Sequence, residues 1–150
     1  MYTAKGQLIS RKLPSTNFGI WWDGDLSREL LDNNRIDKWN YDTSTVTNLL
    51  TASGAASNNS TKATPALQAD LLGDWREEAV WRTTDSSALR IYTTTALTET
   101  RIYTLMHDPV YRLGIAWQNV AYNQPPHTSF YLGTGMNTPP TPNIRLTAAP

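Results

Sequence analysis

The sequence predicts an all-β chain assembled from propeller blades. Three observations carry that expectation. Short runs in which apolar and polar residues alternate with a period of two recur along most of the chain. Turn-forming steps such as Asp85-Ser86-Ser87 and Asp108-Pro109 separate them. A Gly-Asp element separated by three residues from a Glu occurs twice, at a blade-sized interval.

The elements follow in order. Residues 18–22, 29–32, 35–40 and 46–51 read as four strands, enough for a first blade. Residues 52–66 form a Ser/Asn/Ala/Gly/Thr loop that ends at Pro65. A second blade follows. Its strands are 79–83, 88–94, where Leu89, Ile91 and Thr93 share a face, 100–105, and 111–117, entered through Asp108-Pro109. The runs 88–94 and 100–105 read as a hairpin or meander. After Gly133 the chain turns Pro- and Thr-rich. Residues 1–133 are therefore expected to be blades, and 134–150 a tail or linker.

The repeat aligns Gly24-Asp25…Glu29-Leu30-Leu31 with Gly73-Asp74…Glu78-Ala79-Val80, so Asp25 and Asp74 lie 49 residues apart. Each copy starts a strand. Asp23, Asp25 and Glu29 in the first copy, and Asp70, Asp74 and Glu78 in the second, are carboxylates gathered round a glycine turn. Such donors suit calcium, a hard cation that takes oxygen ligands. The alternative is a plain turn whose acids are solvated or paired with Arg28 and Arg76. The first copy has Asp23 where the second has Leu72.

Charge and composition exclude several classes. Lys plus Arg and Asp plus Glu are 13 each, which leaves no broad basic surface for nucleic acid or anionic lipid. Charged residues make up 17% and hydrophobic residues 39%, which fits neither a helical bundle nor a disordered acidic tail. The chain has no cysteine, hence no disulfide, thiolate site or cysteine nucleophile. No apolar run is long enough for a membrane helix, and the N-terminus lacks the apolar core of a signal peptide. Six Trp and seven Tyr against two Phe suit either sheet cores or sugar-binding surfaces.

Two polar segments are candidate contact sites. Asn58-Asn59-Ser60-Thr61-Lys62 offers an ammonium and several amide and hydroxyl donors, suited to an anion such as a carboxylate, or it is a surface loop. Residues 119–124 include Asn119 and Tyr122 just past a predicted strand end, where a propeller rim would meet a sugar. His107-Asp108 are adjacent and cannot easily face each other, so they are expected to build the turn before Pro109. His127 follows Pro125-Pro126 and is expected to be structural or exposed.

The stretches WWDGDLSRELLD (21–32), ADLLGDWREE (69–78), LMHDP (105–109) and WQNVAYNQPPHTS (117–129) resemble the C-terminal part of the rhamnogalacturonan lyases of polysaccharide lyase family 11. The resemblance runs from about residue 18 to residue 133. It implies an eight-bladed, calcium-binding propeller that cleaves the rhamnogalacturonan I backbone of pectin by β-elimination beside a galacturonate. It assigns neutralisation of the substrate carboxylate to Lys62 and substrate contacts to Asn59, Ser60, Thr61, Asn119 and Tyr122. The histidine cluster expected to supply the base has no counterpart here. A pectin substrate implies secretion. The chain is accordingly expected to be one wall of a longer enzyme, partnered by the rest of its own propeller. The competing expectation is a non-catalytic, calcium-dependent propeller module that binds a glycan or a protein.

Overall fold

The computed structural model describes residues 1–10, 14–120 and 123–144. Among these the chain forms antiparallel strands in two sheets, with one α-helix. The first sheet is an up-and-down meander. Strands β1 (Phe18–Ile20), β2 (Glu29–Asp32), β3 (Arg35–Asn40) and β4 (Thr45–Thr51) lie side by side in chain order. All four runs expected in this third of the chain are strands. The β2–β3 turn is Asn33-Asn34, with Asn33 at φ 56°, a conformation asparagine adopts more readily than most residues.

The second sheet is organised round β7 (Glu78–Thr83), which is buried at five of its six positions. Its partners are β5 (Ala55–Ala56), β6 (Leu67–Ala69) and β8 (Leu89–Tyr92). Arg82 stands opposite both Ala56 and Leu89, and Val80 opposite both Leu67 and Ile91. Therefore β5 and β6 run end to end along one edge of β7, while β8 takes the other. The segment between β5 and β6 is an excursion from a single interrupted edge strand.

The repeat holds at the level of register. Phe18↔Leu31, Gly19↔Leu30 and Ile20↔Glu29 in the first sheet become Leu67↔Val80, Gln68↔Ala79 and Ala69↔Glu78 in the second. Every pair is displaced by the same step that separates Asp25 from Asp74.

Two expected strands are corrected. Residues 111–117 lie in a helix, α1 (Pro109–Ala116), and its C-cap, not in a strand. Asp108 is its N-cap, accepting from the Val110 N–H at 2.9 Å, and Pro109 takes the first helical position, where its missing N–H costs nothing. Tyr111, Gly114 and Gln118 are buried at helical spacing, which outweighs the apparent alternation of Tyr111, Leu113 and Ile115. Residues 100–104 keep their alternation of half-buried and exposed positions but form no ladder. The Thr100 carbonyl accepts from Trp75 Nε1 at 3.1 Å, and the run ends in a 3₁₀ turn, Leu105–His107. The expected hairpin with 88–94 is absent among the described residues.

Phe18, Ile20, Leu31 and Ile36 from the first sheet, with Trp22 just past β1, pack with Ala79 and Trp81 of β7 into one core. Trp81 meets Tyr92 edge-on at 5.3 Å, and its indole N–H donates to the Asn33 carbonyl at 3.0 Å. A second cluster, Trp21, Trp75, Leu105, Tyr111 and Leu132, seats the 3₁₀ turn and α1. Five of the six tryptophans are buried and only Trp117 is exposed, so tryptophan serves the core here rather than a sugar surface. The described part of the tail runs back along the molecule, where Pro139, Pro140 and Pro142 line a groove with Tyr103 and Arg112.

Candidate functional site

The two Gly-Asp loops share one closing device. Glu29 at the start of β2 accepts from the N–H groups of Trp22 and Asp23 at 2.8 and 3.3 Å. Glu78 at the start of β7 accepts from Leu71 and Leu72 at 2.8 and 3.1 Å, the equivalent positions. Asp25 accepts from the Ser27 N–H at 2.7 Å, as Asp74 does from Arg76 at 3.1 Å. Each carboxylate thus takes up backbone donors that no strand satisfies. Gly24 is needed for a different reason. A Cβ there would collide with the Leu97 carbonyl of the strap that crosses the loop, and Thr98 Oγ1 donates to the Gly24 carbonyl at 2.8 Å.

The carboxylates differ in what else they hold. Oxygens of Asp23, Asp25 and Glu29 all lie within 4.8 Å of one another. Between them stands the ammonium of Lys38, on β3, at 2.7, 2.6 and 2.8 Å. Burial acts to lower the Lys38 pKa, but three carboxylate hydrogen bonds outweigh it and hold the lysine firmly charged. Burial also acts to raise Asp25, whose bonds to Lys38 and Ser27 leave it below the usual carboxylate range. Glu29 is pushed up, because burial outweighs its bonds to Lys38 and Trp22.

The second set is dispersed. Asp70 is buried and accepts from Gly73 N–H, Thr104 Oγ1 and Leu105 N–H at 2.8, 2.7 and 2.8 Å, pinning the 3₁₀ turn. Asp74 pairs with Arg76 at 2.5 Å. Glu78 uses its second oxygen for Thr93 Oγ1 at 3.0 Å. The Lys38 ammonium stands where the first set converges, and the second set does not converge on a point. The plain-turn alternative is met in part, with Arg76 pairing as expected. Arg28 instead lies over the Trp21 ring at 3.7 Å and donates to the Pro126 carbonyl.

The polar loop is the excursion between β5 and β6. Asn58 and Thr64 close its neck by exchanging two backbone hydrogen bonds, at 2.8 and 3.1 Å. Asn59, Ser60, Thr61 and Lys62 form the tip, all exposed, with Asn59 at φ 60°. The second candidate segment is brought to this neck. Past α1, Gln118 behaves like a strand partner for β6: its side chain accepts from Gln68 N–H at 2.8 Å and donates to the Gln68 carbonyl at 2.6 Å. Asn119 follows, donating to Ala66 O at 2.6 Å and accepting from Asn58 Nδ2 at 3.2 Å. Asn123 donates to Thr64 Oγ1 at 3.0 Å. The structure therefore joins the loop carrying Asn59–Lys62 to Asn119. Tyr122 lies outside the described residues. His107 and His127 are exposed, and Asp108 caps α1, as the turn reading expects.

Sequence reading missed Lys38 and Glu77. Glu77 is fully buried and accepts from Trp21 N–H, Gln68 Nε2 and Tyr111 Oη at 3.0, 2.7 and 2.8 Å. Burial pushes its carboxyl up, opposed by Arg28 and these donors. Lys38 is legible in the sequence only as a polar position of β3, because its partners come from another part of the chain.

The sheets and loops define a repeat-built antiparallel β protein with a polar, lysine-tipped loop on one sheet edge. The chain belongs to rhamnogalacturonan lyase family 11: the sequence model of that family's C-terminal domain matches residues 1–142. It is 74% identical over 145 residues to the rhamnogalacturonan endolyase YesW of Bacillus subtilis (strain 168), covering 96% of this chain and 23% of that protein. It is 61% identical over 155 residues to the rhamnogalacturonan exolyase YesX of the same organism, covering 97% of this chain and 25% of that protein. Among solved structures it superposes on the Bacillus licheniformis rhamnogalacturonan lyase PL11 with a TM-score of 0.90 and 75% identity, over 97% of this chain and 25% of the other. The chain spans about a quarter of the length of these relatives.

Proposed function

We propose that this chain is the C-terminal part of a rhamnogalacturonan lyase and one wall of its cleft. The observation that carries the reading is the joining of the Asn59–Lys62 tip to Asn119 at one neck, in a chain 74% identical to an endolyase. The reaction is β-elimination. A base removes the C5 proton of a galacturonate, the C4 glycosidic oxygen departs with the bonding electrons, and a C4=C5 double bond forms. The C5 proton is acidic enough only when the adjacent carboxylate is neutralised as charge builds on it. Lys62 supplies that positive charge. Asn59, Ser60, Thr61, Asn119 and Tyr122 hold the neighbouring sugars. The base comes from another part of the lyase.

The two sheets are successive blades of a propeller, eight-bladed in the whole enzyme. Their common register supports this, as do the exposed apolar Leu89 and Ile91 on β8 and Val46 and Leu49 on β4, surfaces suited to covering by the remainder of the propeller. Residues 1–133 carry the blades and 134–150 the tail. The protein acts outside the cell on rhamnogalacturonan I. Calcium belongs to the lyase as a whole, and no step is assigned to it.

The test mixes the full-length protein with rhamnogalacturonan I and follows the ultraviolet absorbance of the unsaturated uronate. A rise that stops when substrate is exhausted is the expected result. Saturable binding with no rise would replace this reading with the non-catalytic module.

A further inference from the structure

We propose that Lys38 is the built-in counter-cation of the first Gly-Asp loop, its ammonium standing where a divalent ion would otherwise sit among Asp23, Asp25 and Glu29. Three observations support it. The ammonium touches one oxygen of each carboxylate, at 2.7, 2.6 and 2.8 Å, so an ion and the ammonium could not share that point. The lysine side chain is 26% exposed and Glu29 is fully buried, so the contact is sheltered from screening on the Glu29 side.

The third observation is internal to the repeat. The β2–β3 register extends to set Lys38 across from Glu29, as the β7–β8 register sets Thr93 across from Glu78. Where the first loop has the extra acid Asp23, the second has Leu72. Where the first has Lys38, the second has Thr93. One negative and one positive group have been exchanged together for two uncharged residues, and the Glu still closes its loop in both copies. The loss of Asp23 and of the lysine that faces it in the same copy supports an internal cation at this point. This inference is independent of the lyase reading, since it concerns how the loop closes and not what the molecule binds.

Calcium bound per molecule is counted in the full-length protein and in its Asp25→Asn variant. Asp25 is half-exposed, so the variant keeps its fold. Equal counts are expected, and one ion fewer in the variant overturns the proposal. A melting cycle in the presence of a calcium chelator is the second arm. Lys38→Thr should lower the midpoint by roughly 1–3 °C, and Asp23→Asn added to it should recover part of the loss. Strictly additive shifts, or no shift for Lys38→Thr, also overturn it.

Discussion

At the residue scale, the glutamates that begin β2 and β7 explain why the repeat survives in both copies. Each satisfies two loop N–H groups from six and seven residues upstream. Glu78→Ala removes both acceptors and the Thr93 bond. It should cost about 1–2 kcal/mol, read by denaturant unfolding of the full-length protein, because the part-buried Leu72 N–H and Thr93 hydroxyl lose their acceptors while the Leu71 N–H keeps the Ala69 carbonyl. Asp25 gives a pH signature. Its folded pKa lies below the unfolded value of 3.8, so its contribution is present above that value and is lost as pH falls through the folded one. The stability gap between wild type and Asp25→Asn should therefore be fully open well above pH 3.8 and shrink as pH falls below it. A gap that stays constant across that range contradicts the assignment. The Gly-Asp…Glu spacing marks these residues in the sequence. Their use as closers of backbone hydrogen bonds is not visible there, since a spacing does not say whether an acid faces metal, water or an amide.

At the element scale, the first sheet is readable because β1 and β2 alternate along their length and neighbours in sequence are neighbours in space. The second is half readable. β7 and β8 have the pattern, but β5 and β6 are too short for a periodicity to register, and their continuity is created by β7. Helix α1 reads as a strand because three apolar residues two apart mask Asp108-Pro109, which marks a helix start when the next turns bury one side. Asp108 also accepts from the Ser129 N–H at 2.6 Å, tying the later chain to the cap. Asp108→Ala should cost about 1–2 kcal/mol, measured by chemical unfolding, and should loosen Gln118 and Asn119 where they grip β6. Amide exchange at Gln68 should rise in parallel.

At the scale of the whole molecule, the candidate site is an insertion held from two directions. The sheet supplies the neck through β5, β6 and the Asn58–Thr64 pair, and α1 supplies Asn119 through Gln118. The loop composition, Asn-Asn-Ser-Thr-Lys, marks the tip in the sequence. Its meeting with Asn119 cannot be read there, because it depends on a helix that the alternation conceals. On the proposed reading, the base is supplied from outside this chain. Everything proposed for the reaction rests on Lys62 as the charge that makes the C5 proton removable. The decisive measurement is the turnover of Lys62→Ala in the full-length protein on rhamnogalacturonan I, followed by absorbance of the unsaturated product. The expected result is a fall in kcat of about 100-fold or more, with the melting midpoint unchanged. Turnover close to wild type in a folded Lys62→Ala protein would contradict the role given to this lysine.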